Sequence, residues 1–259
     1  MAERTIIETQ GVTKRFGGFT AVDRVTFRMN EGQAVGIIGP NGAGKTTFFN
    51  LLTGLFLPDE GTVSFFGEDI TRVPPQERTV RGIVRTFQLV SVFDSLSVAE
   101  NLVLAVTRFS AAYASKRRFF FSDARQSALV GECLKALGMM GLEQKARLMT
   151  SELSYGDKRK LEIAIALSMK PKILLLDEPF AGLSDAEIGE VLQLISEVKK
   201  RCSLVIIEHK ISRIVDLVER LNVMHEGKLI AEGAPKQVLC DPFVREVYWG
   251  KEEGLVCSV

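Results

Sequence analysis

Three glycines, a lysine and two adjacent hydroxyls share nine residues, GPNGAGKTT, at positions 39–47. Glycines at this spacing let successive backbone N–H groups close around a phosphate. Lys45 adds a point charge toward the outer phosphate oxygens, and the Thr46 hydroxyl can reach a divalent cation. The run follows the apolar stretch AVGIIG and precedes the helical TTFFNLLTGL, which is the context the P-loop pattern requires. Gly39, Pro40, Asn41, Gly42, Ala43, Gly44, Lys45, Thr46 and Thr47 are therefore candidate phosphate-binding residues.

Four further positions could do chemistry on a bound phosphate chain. Asp177 closes the apolar run KILLLDE, where its carboxylate can hold hydrated Mg2+, and Glu178 beside it can orient or deprotonate a water. His209 follows the run SLVIIEH and can donate a hydrogen bond to a terminal phosphate oxygen. Gln88, ending GIVRTFQ, carries an amide that could reach Mg2+ or the attacking water. Phe16 either stacks on a purine ring or sits inside a β-layer. No Asn-Lys-x-Asp guanine reader occurs, which favours ATP.

A second phosphate-like cradle begins the stretch LSYGDKRKLEIA, residues 153–164. Ser154 and Gly156 would leave bare N–H groups at a helix start. The same residues also fit a capping box, Ser154 with Asp157, opening a helix whose Leu161, Ala164, Ile165 and Ser168 share one face. Local chemistry leaves both readings open. SKRRFFFSD at 115–123 mixes charge and aromatics and could touch lipid headgroups; a half-buried helix junction is the expectation.

The elements that must position these residues are also marked in the sequence. Residues 5–31 alternate apolar and polar positions around turns at Gly17–Gly18 and Glu31–Gly32, and GTVSFFGED continues the alternation, as an antiparallel β-layer does. AVGIIG, KILLLDE and SLVIIEH are unbroken apolar runs, as parallel strands covered on both faces are, and GIVRTFQ is a further strand. Ligands of parallel sheets sit beyond the carboxyl ends of the strands, so segments at 39, 88, 177–178 and 209 are expected to converge on one edge. Ser97 and Glu100 form a capping box before NLVLAV, with helical patterns around 122–138 and 154–169 and a short helix after Asp241–Pro242. The expected fold is α/β, with a P-loop NTPase core with a mixed sheet, an N-terminal antiparallel β-layer and an inserted helical subdomain. About 1–94 and 170–240 would form the ATP-binding core, about 95–169 the helical subdomain and about 241–259 a tail.

With 33 basic and 32 acidic residues the net charge is +1, so no basic excess points to nucleic acid. Four scattered cysteines lack metal-ligand or disulfide-framework spacing and suit a reducing cytosol. The N-terminus lacks a signal-peptide core, and no window of about 18 residues is free of charge, so no spanning segment is expected.

Taken in order, GPNGAGKTT, RTFQ, LSYGDKRKLEIA, ILLLDEP, AGLSD and IIEH resemble the nucleotide-binding subunits of ABC transporters over nearly the whole chain. The resemblance implies ATP and Mg2+ as ligands and two subunits paired head to tail, as a homodimer or a paralogous heterodimer. Ser154 and Gly156 of one subunit then face ATP on the P-loop of the other. It assigns Glu178 as catalytic base, His209 as switch histidine, Gln88 as a sensor near the metal, Phe16 as the adenine-stacking aromatic, Thr46 and Asp177 as metal-holding residues, and Ser184 with Asp185 as the D-loop. Asp157 stands where the family has Gln; it is expected to turn back and cap its own helix, with Lys158, Arg159 and Lys160 offsetting its field.

FQLVSVFDSLSVAENLVLA, the signature stretch and the terminus are most similar to ATPases of branched-chain amino acid importers, with urea and amide importers close behind. This implies separate permease subunits, an extracytoplasmic substrate-binding protein, no nucleic acid, and a peripheral place on the cytoplasmic face of the membrane. Alternatives are lipid or lipopolysaccharide export, a soluble ABC ATPase acting on nucleic acid or ribosomes, and a P-loop kinase. A kinase would need an acceptor pocket and has no use for the second cradle.

Overall fold

The computed structural model describes residues 4–87, 90–109, 131, 133–209 and 211–249. In chain order the strands are β1 (Thr5–Phe16), β2 (Phe19–Asn30), β3 (Ala34–Ile38), β4 (Glu60–Phe65), β5 (Glu68–Asp69), β6 (Ile83–Arg85), β7 (Ile173–Asp177), β8 (Ser203–Ile207), β9 (Arg220–His225) and β10 (Lys228–Gly233). The helices used below are α1 (Lys45–Thr53), α2 (Pro75–Arg81), α3 (Val98–Phe109), α4 (Tyr155–Ser168), α5 (Asp185–Lys199), α6 (Pro235–Cys240) and α7 (Pro242–Trp249). The chain divides into two compact units, Met1–Pro75 with Ser203–Val259, and Gln76–Cys202.

The first unit holds the antiparallel layer and a mixed sheet. β1 pairs with β2 through the Gly17–Gly18 turn and with β4 on its other side, and β5 closes the edge. Alternation in β2 buries Val25, Phe27 and Met29 on one face. In the mixed sheet β3 runs parallel to both β8 and β9, and β10 folds back antiparallel on β9. All five residues of β3 and of β8 are buried, as their unbroken apolar sequences require. Phe27 of β2 meets Phe48 of α1 edge to face at 5.7 Å between ring centres, joining the layer to the helix that follows the cradle.

In the second unit β6 runs parallel to β7, which is likewise wholly buried. Ser97 and Glu100 form the expected capping box before α3: Ser97 N–H and Oγ both donate to the Glu100 carboxylate, and Ser97 Oγ accepts from Glu100 N–H. A second box, Ser184 with Glu187, opens α5 and goes beyond the sequence expectations, as does the β9–β10 hairpin of the first unit. The expected short C-terminal helix is α7. Residues 115–123 lie outside the described residues.

α4 departs from its expected single buried face. Leu161, Ala164 and Ser168 are buried as expected, but so are Arg159, Glu162, Ile163 and Ala166, so most of its circumference is covered.

Candidate functional site

In the first unit, β3 delivers the chain into Gly39 and the loop 40–44 before α1 begins. Gly44 is the N-cap at φ +99°, a left-handed conformation, and a Cβ there would stand 2.3 Å from Ala21 O. The N-cap is a glycine with no side chain to cap α1, and the first turn carries no acidic residue, so the positive end of the helix dipole faces the loop. The Lys45 side chain is only 6 % exposed and its Nζ donates to Gly39 O at 2.7 Å and Pro40 O at 3.0 Å, which holds the ammonium across the loop. Asn41, Gly42 and Thr46 are exposed, and Thr47 is half-buried.

The parallel register of β3 and β8 pairs Ile37 with Ile207, so Gly39 and His209 leave the same edge of the sheet two residues on. Glu208 N–H donates to Ile37 O at 3.4 Å and keeps the two strand ends together. His209 is exposed, and its backbone N–H donates to Glu208 Oε2 at 3.0 Å. Phe16 is 45 % exposed at the end of β1, its ring edge-on to Phe56 at 5.4 Å and 5.7 Å from Lys14 Nζ. Of the two readings of Phe16, burial inside the β-layer is the one the structure does not adopt.

In the second unit the two acids sit at the end of β7. Asp177 is 1 % exposed; its Oδ2 is ion-paired with Arg85 Nη2 at 2.5 Å, across the parallel β6–β7 pair. Its Oδ1 is buried and has no hydrogen-bond partner among the described residues. A carboxylate so arranged has one oxygen neutralised and one left to accept from a hydrated cation. Glu178 adopts φ +47°, a left-handed backbone that costs a residue with a Cβ about 1–2 kcal/mol, and its C=O accepts from Ala181 N–H at 3.0 Å in the turn that follows. Arg85, the last residue of β6, is the partner of Asp177 and is not singled out by the sequence reading; its one signal there is a cation closing a short apolar strand. Gln88 lies outside the described residues.

The second cradle also lies in this unit. Ser154 is the N-cap of α4, its Oγ accepting from Asp157 N–H at 3.1 Å. The reciprocal half of the expected capping box is missing among the described residues, which corrects the expectation for Asp157. Its carboxylate is ion-paired with Lys145, and Lys160 lies 3.8 Å away. Of the three consecutive bases only Lys160 offsets Asp157: Lys158 pairs with Asp94 at 2.7 Å and Arg159 with Glu162 at 2.7 Å. Successive helical residues point about 100° apart, so neighbouring cations cannot all face one carboxylate.

Gly156 is buried against α5, and its N–H donates to the Glu187 carboxylate. Glu187 Oε2 also accepts from Ser184 N–H at 2.9 Å and Ser184 Oγ at 2.7 Å. These donors, Ser184 foremost, hold the Glu187 carboxyl below its usual range. Tyr155 packs on Gly182, whose φ is +75°, so the segments 154–157 and 182–187 are joined at two points.

A family model described as ABC transporter matches residues 22–181, from β2 through both cradles to the turn after β7. The chain belongs to the ABC transporter family. Over 255 residues it is 35 % identical to the high-affinity branched-chain amino acid transport ATP-binding protein BraF of Pseudomonas aeruginosa, covering 96 % of this chain and 99 % of the relative. LivG of Escherichia coli, of the same description, is 35 % identical over 250 residues, 95 % of this chain and 98 % of the relative. Among solved structures, a nucleotide-free ATP-binding cassette from an ABC transporter superposes with a TM-score of 0.82 at 34 % identity, covering 95 % of this chain and all of the other. The ADP conformation of the cassette MJ1267 gives 0.81 at 33 % identity, covering 95 % and 99 %. The expected α/β P-loop architecture is thus the fold of this ABC chain.

Proposed function

We propose that this chain is the ATP-hydrolysing subunit that powers import of branched-chain or other small amino acids through a separate permease. The observation that carries the reading is 35 % identity along almost the whole chain to ATP-binding proteins of branched-chain amino acid transport. Residues 95–169 are read as the helical, signature-bearing part of the cassette, flanked by the ATP-binding core at 1–94 and 170–240 and followed by the tail at 241–259.

In this reading the 39–47 loop wraps the phosphates, Lys45 meets the β- and γ-phosphates, and the exposed face of Phe16 stacks on adenine. The buried, unpartnered Oδ1 of Asp177 suits a hydrated Mg2+, with Thr46 and Gln88 as its other protein partners. Mg2+ would neutralise phosphate charge when bound. Glu178 takes the proton of the attacking water, and His209 donates to the terminal phosphate. Ser154 and Gly156 act on the nucleotide of a second copy or a paralogous subunit, because a helix start with donor amides complements the charge of a terminal phosphate.

No helix among the described residues is long and apolar enough to cross a membrane. By its similarity to ATP-binding proteins of branched-chain amino acid transport, we read the transport path as belonging to separate permease subunits, with this chain peripheral to them on the cytoplasmic face. A substrate-binding protein on the opposite face completes the assembly. The near-neutral charge gives no footing for nucleic acid. Uptake of labelled leucine by cells lacking the gene tests the cargo. Loss of uptake, restored by the wild type but not by the Glu178→Gln variant, is expected; intact leucine uptake with loss of urea or amide uptake would move the chain to that class.

A further inference from the structure

Phe16 ends β1, and the segment that ties it down is the loop between α1 and β4. The β1–β4 ladder stops where Thr13 pairs with Glu60, so residues 14–16 run on past it. In an extended strand the C=O of one residue and the N–H of the residue two places on face the same side, and the end of a ladder leaves such groups without a strand partner. Asp59, the residue before β4, takes both: its N–H donates to Thr13 O at 2.8 Å, and its Oδ2 accepts from Arg15 N–H at 2.6 Å. Its other oxygen, Oδ1, accepts from Lys14 Nζ at 2.9 Å. That ammonium in turn lies 5.7 Å from the Phe16 ring centre.

The same loop carries Phe56, whose ring meets that of Phe16 edge to face at 5.4 Å. Phe56 N–H donates to Asn50 O at 3.0 Å, which fastens the loop to α1, the helix that starts at Lys45. A sheet edge facing water asks for none of this. Solvent satisfies an exposed N–H nearly as well as a carboxylate does, and the Asp59 side chain, 37 % exposed, sits where water reaches. What water cannot do is set the position of a ring. The base and the phosphates of a nucleotide are joined through one sugar, so a stacking ring and a phosphate loop must keep a matching separation. The 54–59 loop links the first to the helix that opens from the second.

We infer that Asp59 and Phe56 are positioning residues for the nucleotide base: Asp59 holds the end of β1 at Thr13 and Arg15, Phe56 sets the tilt of the Phe16 ring, and together they keep that ring placed for a purine whose phosphates sit at the start of α1. This rests on the reading of Phe16 as the residue that stacks on adenine. Asp59 and Phe56 act through Phe16 and are assigned no contact with the nucleotide.

The test compares Asp59→Ala, Asp59→Asn, Phe56→Leu and Phe16→Ala with wild type, reading affinity by calorimetry for two probes, ATP and inorganic tripolyphosphate. Tripolyphosphate has the charge of the phosphate chain and no base. A variant that merely loosens the fold therefore weakens both probes, whereas one that misplaces the ring weakens ATP alone. Phe16→Ala is expected to lose ATP affinity about five-fold or more, as loss of a stacking aromatic does. Asp59→Ala and Phe56→Leu, which leave the ring present but unheld, are expected to lose about three-fold or more, and all three to keep tripolyphosphate affinity within about two-fold. Asp59→Asn retains an oxygen for the Arg15 amide and is expected to bind ATP more tightly than Asp59→Ala; equal weakness would show that this amide is not what Asp59 holds. A variant at 59 or 56 that binds ATP within about three-fold of wild type, or loses tripolyphosphate in equal proportion, would overturn the role of its residue. Should Asp59→Ala not fold, Phe56→Leu decides by the same criterion. If Phe16→Ala keeps its ATP affinity, the reading of Phe16 fails; if Phe16→Ala is weak and the other two are not, only the positioning roles fail.

Discussion

The Glu187 carboxylate lies against Gly156: a Cβ built on Gly156 would stand 2.3 Å from Glu187 Oε1, and the Gly156 amide donates to the same carboxylate. The helix start that the proposed function gives to a neighbour's terminal phosphate is thus attended by an anion of its own chain. The two negative groups compete for one amide and repel each other.

Glu187→Gln removes the charge while keeping the side-chain shape and one of the two acceptor oxygens. In a Glu178→Gln background it is expected to form the ATP-bound dimer at about three- to ten-fold lower ATP concentration, because a negative charge that repels the phosphate is gone. Gel filtration across an ATP series reads the midpoint. A midpoint that stays put or rises would show that Glu187 does not oppose the phosphate.

Asp157 places a negative charge in the second cradle, where the proposed function puts a phosphate. Because Lys145 and Lys160 already hold its carboxylate, Asp157→Gln is expected to leave ATP affinity and turnover within about two-fold and to cost about 0–1 kcal/mol of stability, the worth of partly exposed ion pairs. A large gain in both affinity and turnover would mean that the acid reaches the phosphate after all.

Asn222 sits on β9 opposite Ile37 of β3, fully buried, and neither polar atom of its side chain has a partner among the described residues. Burying an unsatisfied amide costs about 1–3 kcal/mol, so the near-isosteric Asn222→Leu is expected to stabilise the protein by about 1–2 kcal/mol in a denaturant titration. A loss of stability would point to a buried water bonded to that amide.

Much of the fold is legible in the sequence because it follows local rules. The β-layer shows in two-residue alternation, and β3, β7 and β8 in unbroken apolar runs. The cradle at 39–47 shows in glycine and lysine spacing, and α3 in the Ser97–Glu100 box. What is not legible depends on pairs distant in sequence. Nothing in GIVRTFQ says that Arg85 will face Asp177, because that requires β6 and β7 to lie side by side in parallel. The sequence reading gives Arg159 to the field of Asp157 and does not single out Glu162; only the packed unit shows that Phe87 supplies polar groups to both. The Asp157 expectation fails for the same reason, since Lys145 comes from a separate segment before α4.

In the proposed mechanism each nucleotide is held between two subunits, by the 39–47 loop of one and the helix starting at Ser154 of the other. Sedimentation of Glu178→Gln with ATP, with ADP and without nucleotide, beside the same variant carrying Ser154→Arg, measures that sharing. A dimer is expected with ATP alone, and it should be lost when the bulky cation fills the second cradle. A Glu178→Gln protein that binds ATP and stays monomeric, or a dimer indifferent to Ser154→Arg, would show that the nucleotide is not shared.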